Sequence, residues 1–166
     1  MCYNGTQSRG TSMFITTHAA IGAFVGEQLP THPYIAFALG AISHFLVDII
    51  PHGDTQLYKD YAAGKKVRSS IAYAAIDAVL AIFLILFFLN TVPSAAKFAV
   101  TMGIVGSILP DLIVGVYEVS HTIWLKWFHR LHFFFHNMIS DTRDISFASG
   151  LGMQLVFLAV LLSFLT

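Results

Sequence analysis

A single cysteine, Cys2, leaves the chain no intrachain disulfide and says little about its compartment. Charge is nearly as scarce: Asp, Glu, Lys and Arg make up 11% of the 166 residues, where a soluble domain carries about 25%. So little charge cannot coat a soluble globule, and 56% hydrophobic residues with a positive mean hydropathy point to a membrane. There is no excess of either sign. Nine basic and nine acidic residues give a formal net charge of zero, hence no basic face for nucleic acid. A small-x-small cleavage site is also missing after the first apolar run, which His18 interrupts, so that run reads as a membrane helix and not as a signal peptide.

The apolar runs set the architecture. Residues 1–12 are polar and read as a flexible tail, and 13–166 read as a single membrane-embedded helical domain. The first helix covers Met13–Val25, with Gly22 and Gly26 as a small-residue face for close packing. Prolines at 30 and 33 make a turn, and a second helix is predicted over Tyr34–Ile50. Residues 51–69 form a polar loop. A third helix, Ser70–Leu89, has Asp77 as its only charge and is long enough to cross a bilayer. The fourth, Ser94–Tyr117, contains Pro110, which should kink it. His121–Asn137 mixes tryptophan, phenylalanine, basic residues and histidine, a composition suited to a helix lying among headgroups. The uncharged run Phe147–Leu165 reads as a lipid-facing anchor. The expected fold is all-α: a polytopic membrane bundle of about five transmembrane helices with one interfacial helix.

Against this apolar background His44, Asp48, His52 and Asp54 stand close together. On a helix, steps of four residues advance only about 40°, so His44, Asp48 and His52 share one narrow stripe, with Pro51 moving His52 onto a turn. Imidazole nitrogens and carboxylate oxygens together are a ligand set for zinc, manganese or non-haem iron. Ionisable groups within a membrane are costly, so they face the bundle interior, paired or bound. His132 and His136 have the same i, i+4 spacing, which lets two imidazoles share a metal. Asp77 reads equally as a ligand or as a helix-start carboxylate favoured by the helix dipole. Asp54 reads equally as a turn former, and Glu27, Asp60, Glu118, Asp141 and Asp144 read as solvated surface charge.

The second and fourth helices match position by position: Ala36 with Ala99, Gly40 with Gly103, His44 with Ser107, Asp48 with Asp111, His52 with Gly115. His18 and Asp77 lie near the starts of the first and third. These correspondences suggest a tandem helical-hairpin repeat. All but one of the nine Lys and Arg residues, Lys97 being the exception, fall on one side of a five-helix threading. The positive-inside rule then puts the amino terminus in the cytoplasm and the carboxyl terminus outside the cell (inner) membrane. His18, His44, Asp48, Asp111, His132 and His136 all come out near the cytoplasmic level.

Thr17-His18, the Gly-x-x-Ser-His-x-x-x-Asp pattern of Gly40, Ser43, His44 and Asp48, Leu109-Pro110-Asp111 and His129-Arg130 together resemble the inner-membrane-associated metal-dependent hydrolases. More distantly, the His/Asp spacing is similar to that of zinc-dependent phospholipase C. The order departs from that family, where the Leu-Pro-Asp and His-Arg segments precede the Ser-His segment. Leu112 and Ile113 also stand where the family has a further Asp-His. The resemblance implies metal binding at His18, His44, Asp48 and Asp111.

Two functions follow from these residues. The first is a membrane-bound hydrolase in which one or two divalent ions, zinc or manganese, bring the pKa of a water toward neutrality, and Asp48 or Asp111 takes the proton. Its metal ligands would be His18, His44, Asp48, His52, Asp111, His132 and His136. Its substrate would be an ester or phosphoester of a membrane lipid or other amphiphile arriving from the cytoplasmic interface. The alternative is a small metal-ion or proton carrier using the same cluster. A carrier needs polar residues through to the far side, where these helices offer mostly Ala, Gly, Ile, Leu and Phe.

Overall fold

Each apolar run closes its backbone hydrogen bonds within itself as a helix, as an apolar surround requires. The structure, a computed structural model, describes residues 14–50, 63–140 and 146–165. These form α1 (Ile15–Gln28), α2 (Pro33–Asp48), α3 (Val67–Thr91), α4 (Lys97–Ser120), α5 (Lys126–Ser140) and α6 (Phe147–Leu165), with a 3-10 turn at Ile123–Leu125 leading into α5. Pro33 opens α2 at a first-turn position, where its missing N–H costs nothing. The chain enters α5 through His121, a left-handed residue with φ 50°. α4 carries Pro110 in its interior and continues through it to Ser120.

Helix length separates the elements into two sets. α3 and α4, of 25 and 24 residues, are long and apolar enough to cross a membrane. α1 and α2 have 14 and 16 residues, about 21 and 24 Å at 1.5 Å per residue, short of a ~30 Å hydrocarbon core. Of the about five spans expected from the apolar runs, two are long and apolar enough to cross a membrane among the described residues. The outward surface is nonetheless apolar well beyond those two: Ile35, Ile42 and Leu46 on α2, and Leu155, Val156 and Val160 on α6, are all exposed.

α1 lies at the centre, packed against α2, α3, α4 and α6. Small residues allow this. Gly22 and Gly103 face each other so closely that a Cβ on either would collide with the other's backbone. Around them Ala19, Ala20, Ala23, Ala36, Ala99 and Val100 are fully or almost fully buried. α2 runs alongside α4 with the residues paired in the sequence comparison in register: Gly40 against Gly103 and His44 against Ser107.

α3 contributes the carboxylate that starts α1. Asp77 accepts from the Ile15 and Thr16 backbone N–H groups at 2.6 and 3.2 Å and from the Thr16 hydroxyl at 2.6 Å. No side chain of α1 itself caps that end, so α1 is capped from another helix, with the carboxylate at the positive end of its dipole. Asp77→Ala leaves these donors without an acceptor in a largely buried place. The expected cost is about 2 kcal/mol, the upper end for a lost cap, read as a lowered melting temperature. Asp77→Asn, which keeps one acceptor, should recover part of it.

α6 does more than face lipid. Its Gln154 is buried and accepts from the Thr17 hydroxyl at 3.2 Å, tying α6 to α1 beside His18.

Candidate metal centre

Four helices deliver side chains to one point. His18 stands near the capped start of α1, His44 and Asp48 near the end of α2, Asp111 on α4 just after Pro110, and His132 and His136 on the inward face of α5. His18, His44, Asp48, His132 and His136 are wholly buried, with relative exposures of 0%. Asp48 is the hub. Its Oδ1 lies 3.1 Å from His18 Nε2, and its Oδ2 lies 3.0 Å from His44 Nε2, 3.2 Å from His136 Nε2 and 3.8 Å from His132 Nε2. Asp111 Oδ1 approaches His44 Nε2 at 3.7 Å and His132 Nε2 at 3.6 Å. One ligand atom from each of His44, Asp48, Asp111 and His132 falls within 4.8 Å of all the others.

Close as these atoms are, they are not aimed at one another. Both Asp48 oxygens, His18 Nε2 and His132 Nε2 are buried without a hydrogen-bond partner. Leaving such atoms unsatisfied costs about 1–3 kcal/mol each, a penalty that a cation at their common focus removes. Two imidazoles and two carboxylates are borderline donors that suit zinc, manganese or iron. The residues therefore fit a divalent transition-metal ion.

The surrounding groups orient the ligands. His44 Nδ1 donates to the Ser107 carbonyl at 2.8 Å, which fixes the tautomer with the Nε2 lone pair facing Asp48. The Ser107 hydroxyl donates in turn to the His18 carbonyl, so one α4 residue holds both α1 and α2 at the centre. Burial, with other imidazoles close by, pushes the His132 imidazole down to about 2, and that ring stays neutral with a lone pair available. His129 bonds to Glu118 at 2.7 Å and stacks on Tyr117, pinning α5 to the end of α4. Glu118 is thus a half-buried hydrogen-bond partner of His129 and not the solvated surface charge expected of it.

Of the ligands expected from the sequence, the structure brings together His18, His44, Asp48, Asp111, His132 and His136. His52 and Asp54 lie outside the described residues. Asp77 lies well inside α3 and not at its start, and it caps α1 instead, a role neither of its two readings gave it. Ser107 and Gln154 were not singled out by sequence. A serine among the small residues opposite His44 was the available signal for the first, and a lone amide in an uncharged helix for the second. Comparison of the chain with protein-family models, with curated proteins and with solved structures gives no match.

Proposed function

We propose that the chain is a membrane-bound, metal-dependent hydrolase acting on an ester or phosphoester of a lipid or other amphiphile. The observation that carries this reading is the convergence of His44, Asp48, Asp111 and His132 from three separate helices on one buried focus. In that focus a divalent ion, zinc or manganese, would supply Lewis acidity and a water ionised near neutral pH. Asp111 is the one member of this quartet that is not fully buried. It would take the proton from the attacking water, while Asp48, surrounded by imidazoles, would serve as a ligand. The resemblance of the Ser43-His44, Leu109–Asp111 and His129-Arg130 segments to the inner-membrane-associated metal-dependent hydrolases agrees with this reading.

Against the carrier alternative, the interior beyond the centre is filled by Ala19, Ala20, Ala23, Val100 and Ile104. Such packing supplies no polar steps for an ion to move along. We further propose that α1, α2 and α6 complete a five-helix membrane domain with α3 and α4. In that domain the amino terminus is cytoplasmic, the carboxyl terminus external, and the centre at the cytoplasmic face.

The test is hydrolysis of a fluorogenic phospholipid or acyl ester in mixed micelles by the purified protein. Turnover should vanish with chelator and return with zinc or manganese. Asp111→Asn should lower it about 10²–10⁴-fold, the usual worth of a general base. Zinc flux into proteoliposomes with no hydrolysis of either ester class would favour the carrier.

A further inference from the structure

α5 is apolar on the side it turns away from the protein and polar on the side it turns in. Inward, His129, His132, Phe133 and His136 follow helical spacing and are buried. Outward, Trp127, Leu131, Phe134 and Met138 repeat at i, i+4, i+7 and i+11 and are 65%, 40%, 62% and 49% exposed. The preceding 3-10 turn adds Trp124 at 80%. A helix that turns its histidines inward and its aromatic residues outward needs an apolar partner outside. Lys126 and exposed Arg130 sit beside the two tryptophans at the start of the helix, and tryptophan with Lys and Arg is the pairing that settles at a headgroup layer. Their charge complements anionic headgroups.

α5 packs on α2 and α4, where Phe128 and Phe135 meet Phe45 and His129 bonds to Glu118. It also supplies two of the imidazoles that reach Asp48 or Asp111.

We propose that the outward stripe of α5 docks on an anionic headgroup layer of the bilayer, and that this docking holds His132 and His136 against Asp48. The metal centre is thereby completed at the lipid surface. The second half of this proposal rests on the metal reading of the cluster. The first half does not.

Trp124 and Trp127 are the only tryptophans in the chain, so intrinsic fluorescence reports this face alone. The protein is placed in nanodiscs of brominated phosphatidylglycerol or brominated phosphatidylcholine. Bromines near the glycerol backbone should quench more strongly than bromines near the chain ends, more so in phosphatidylglycerol, and aqueous iodide should quench little. Zinc affinity, measured by competition with a chromophoric chelator, should be at least tenfold higher in phosphatidylglycerol discs. Phe134→Glu should lower it by a similar factor, and His44→Ala should abolish zinc uptake without changing the quenching.

Free quenching by iodide with none by bromolipid overturns the docking. So does fluorescence that changes with protein density in the lipid and not with bromination, which would show a second copy on this face. Zinc affinity indifferent to lipid charge and to Phe134→Glu overturns the coupling and leaves the hydrolase reading standing. A wild type that takes up neither zinc nor manganese ends the coupling and the hydrolase reading together, and the bromolipid profile still decides the docking.

Discussion

Asp48→Asn is expected to empty the metal centre. The substitution keeps size and shape but removes the charge that four imidazoles surround, at 3.1 Å from His18, 3.0 Å from His44, 3.2 Å from His136 and 3.8 Å from His132. Its amide N–H₂ would also donate to an imidazole lone pair on one side of the cluster, and so compete for a nitrogen the metal would use. Disturbing a group that merely orients a ligand costs about 10–100-fold in metal affinity, so loss of the central carboxylate should exceed about 100-fold. Metal content after purification should fall from near stoichiometric to background. The helical circular dichroism of the variant should stay intact, since the packing of α1, α2 and α4 rests on glycine and alanine and not on the cluster.

Gly103→Leu should have the largest effect on folding. Gly22 and Gly40 both meet the Gly103 backbone, and a side chain built on Gly103 runs into the Gly22 carbonyl. Overpacking a core by extra methylenes costs about 1–3 kcal/mol where side chains can yield. Here the obstruction is the main chain of α1 at Gly22 and Gly26, and relief requires α1 and α4 to separate. The expected result is a protein that fails to elute as a single monodisperse species in mild detergent. Gly115→Leu on the same helix is the control, because nothing lies within 4 Å of the Cβ it would introduce. Equal behaviour of the two variants would show that α1 and α4 do not meet at Gly22 and Gly103.

The residues that converge were visible in the sequence because their signals are local. His44 and Asp48 share a helix stripe, His132 and His136 repeat that spacing, His18 breaks an apolar run, and Asp111 matches Asp48 in the comparison of α2 with α4. What was not legible depends on contacts distant in sequence. The Asp77 cap on α1 joins residues 61 and 62 positions apart, and the Thr17–Gln154 bond joins residues 137 apart. Neither leaves a periodic trace. Glu118 looked solvated for the same reason, since its partner His129 lies across the turn into α5. The lengths of the first two helices were close to those expected from Met13–Val25 and Tyr34–Ile50, but which helices span was not legible. Apolar periodicity reports burial or lipid contact and does not tell a full span from a helix of 14 or 16 residues packed against longer neighbours.

The central claim is that His44, Asp48, Asp111 and His132 hold a transition-metal ion, and elemental analysis of the purified protein tests it most directly. Protein extracted in mild detergent without chelator should carry close to one equivalent or more of zinc or manganese per chain, and His44→Ala and Asp48→Asn should carry almost none. Folded wild-type protein that contains no transition metal, and takes up none from a buffered supply of zinc or manganese, would contradict it.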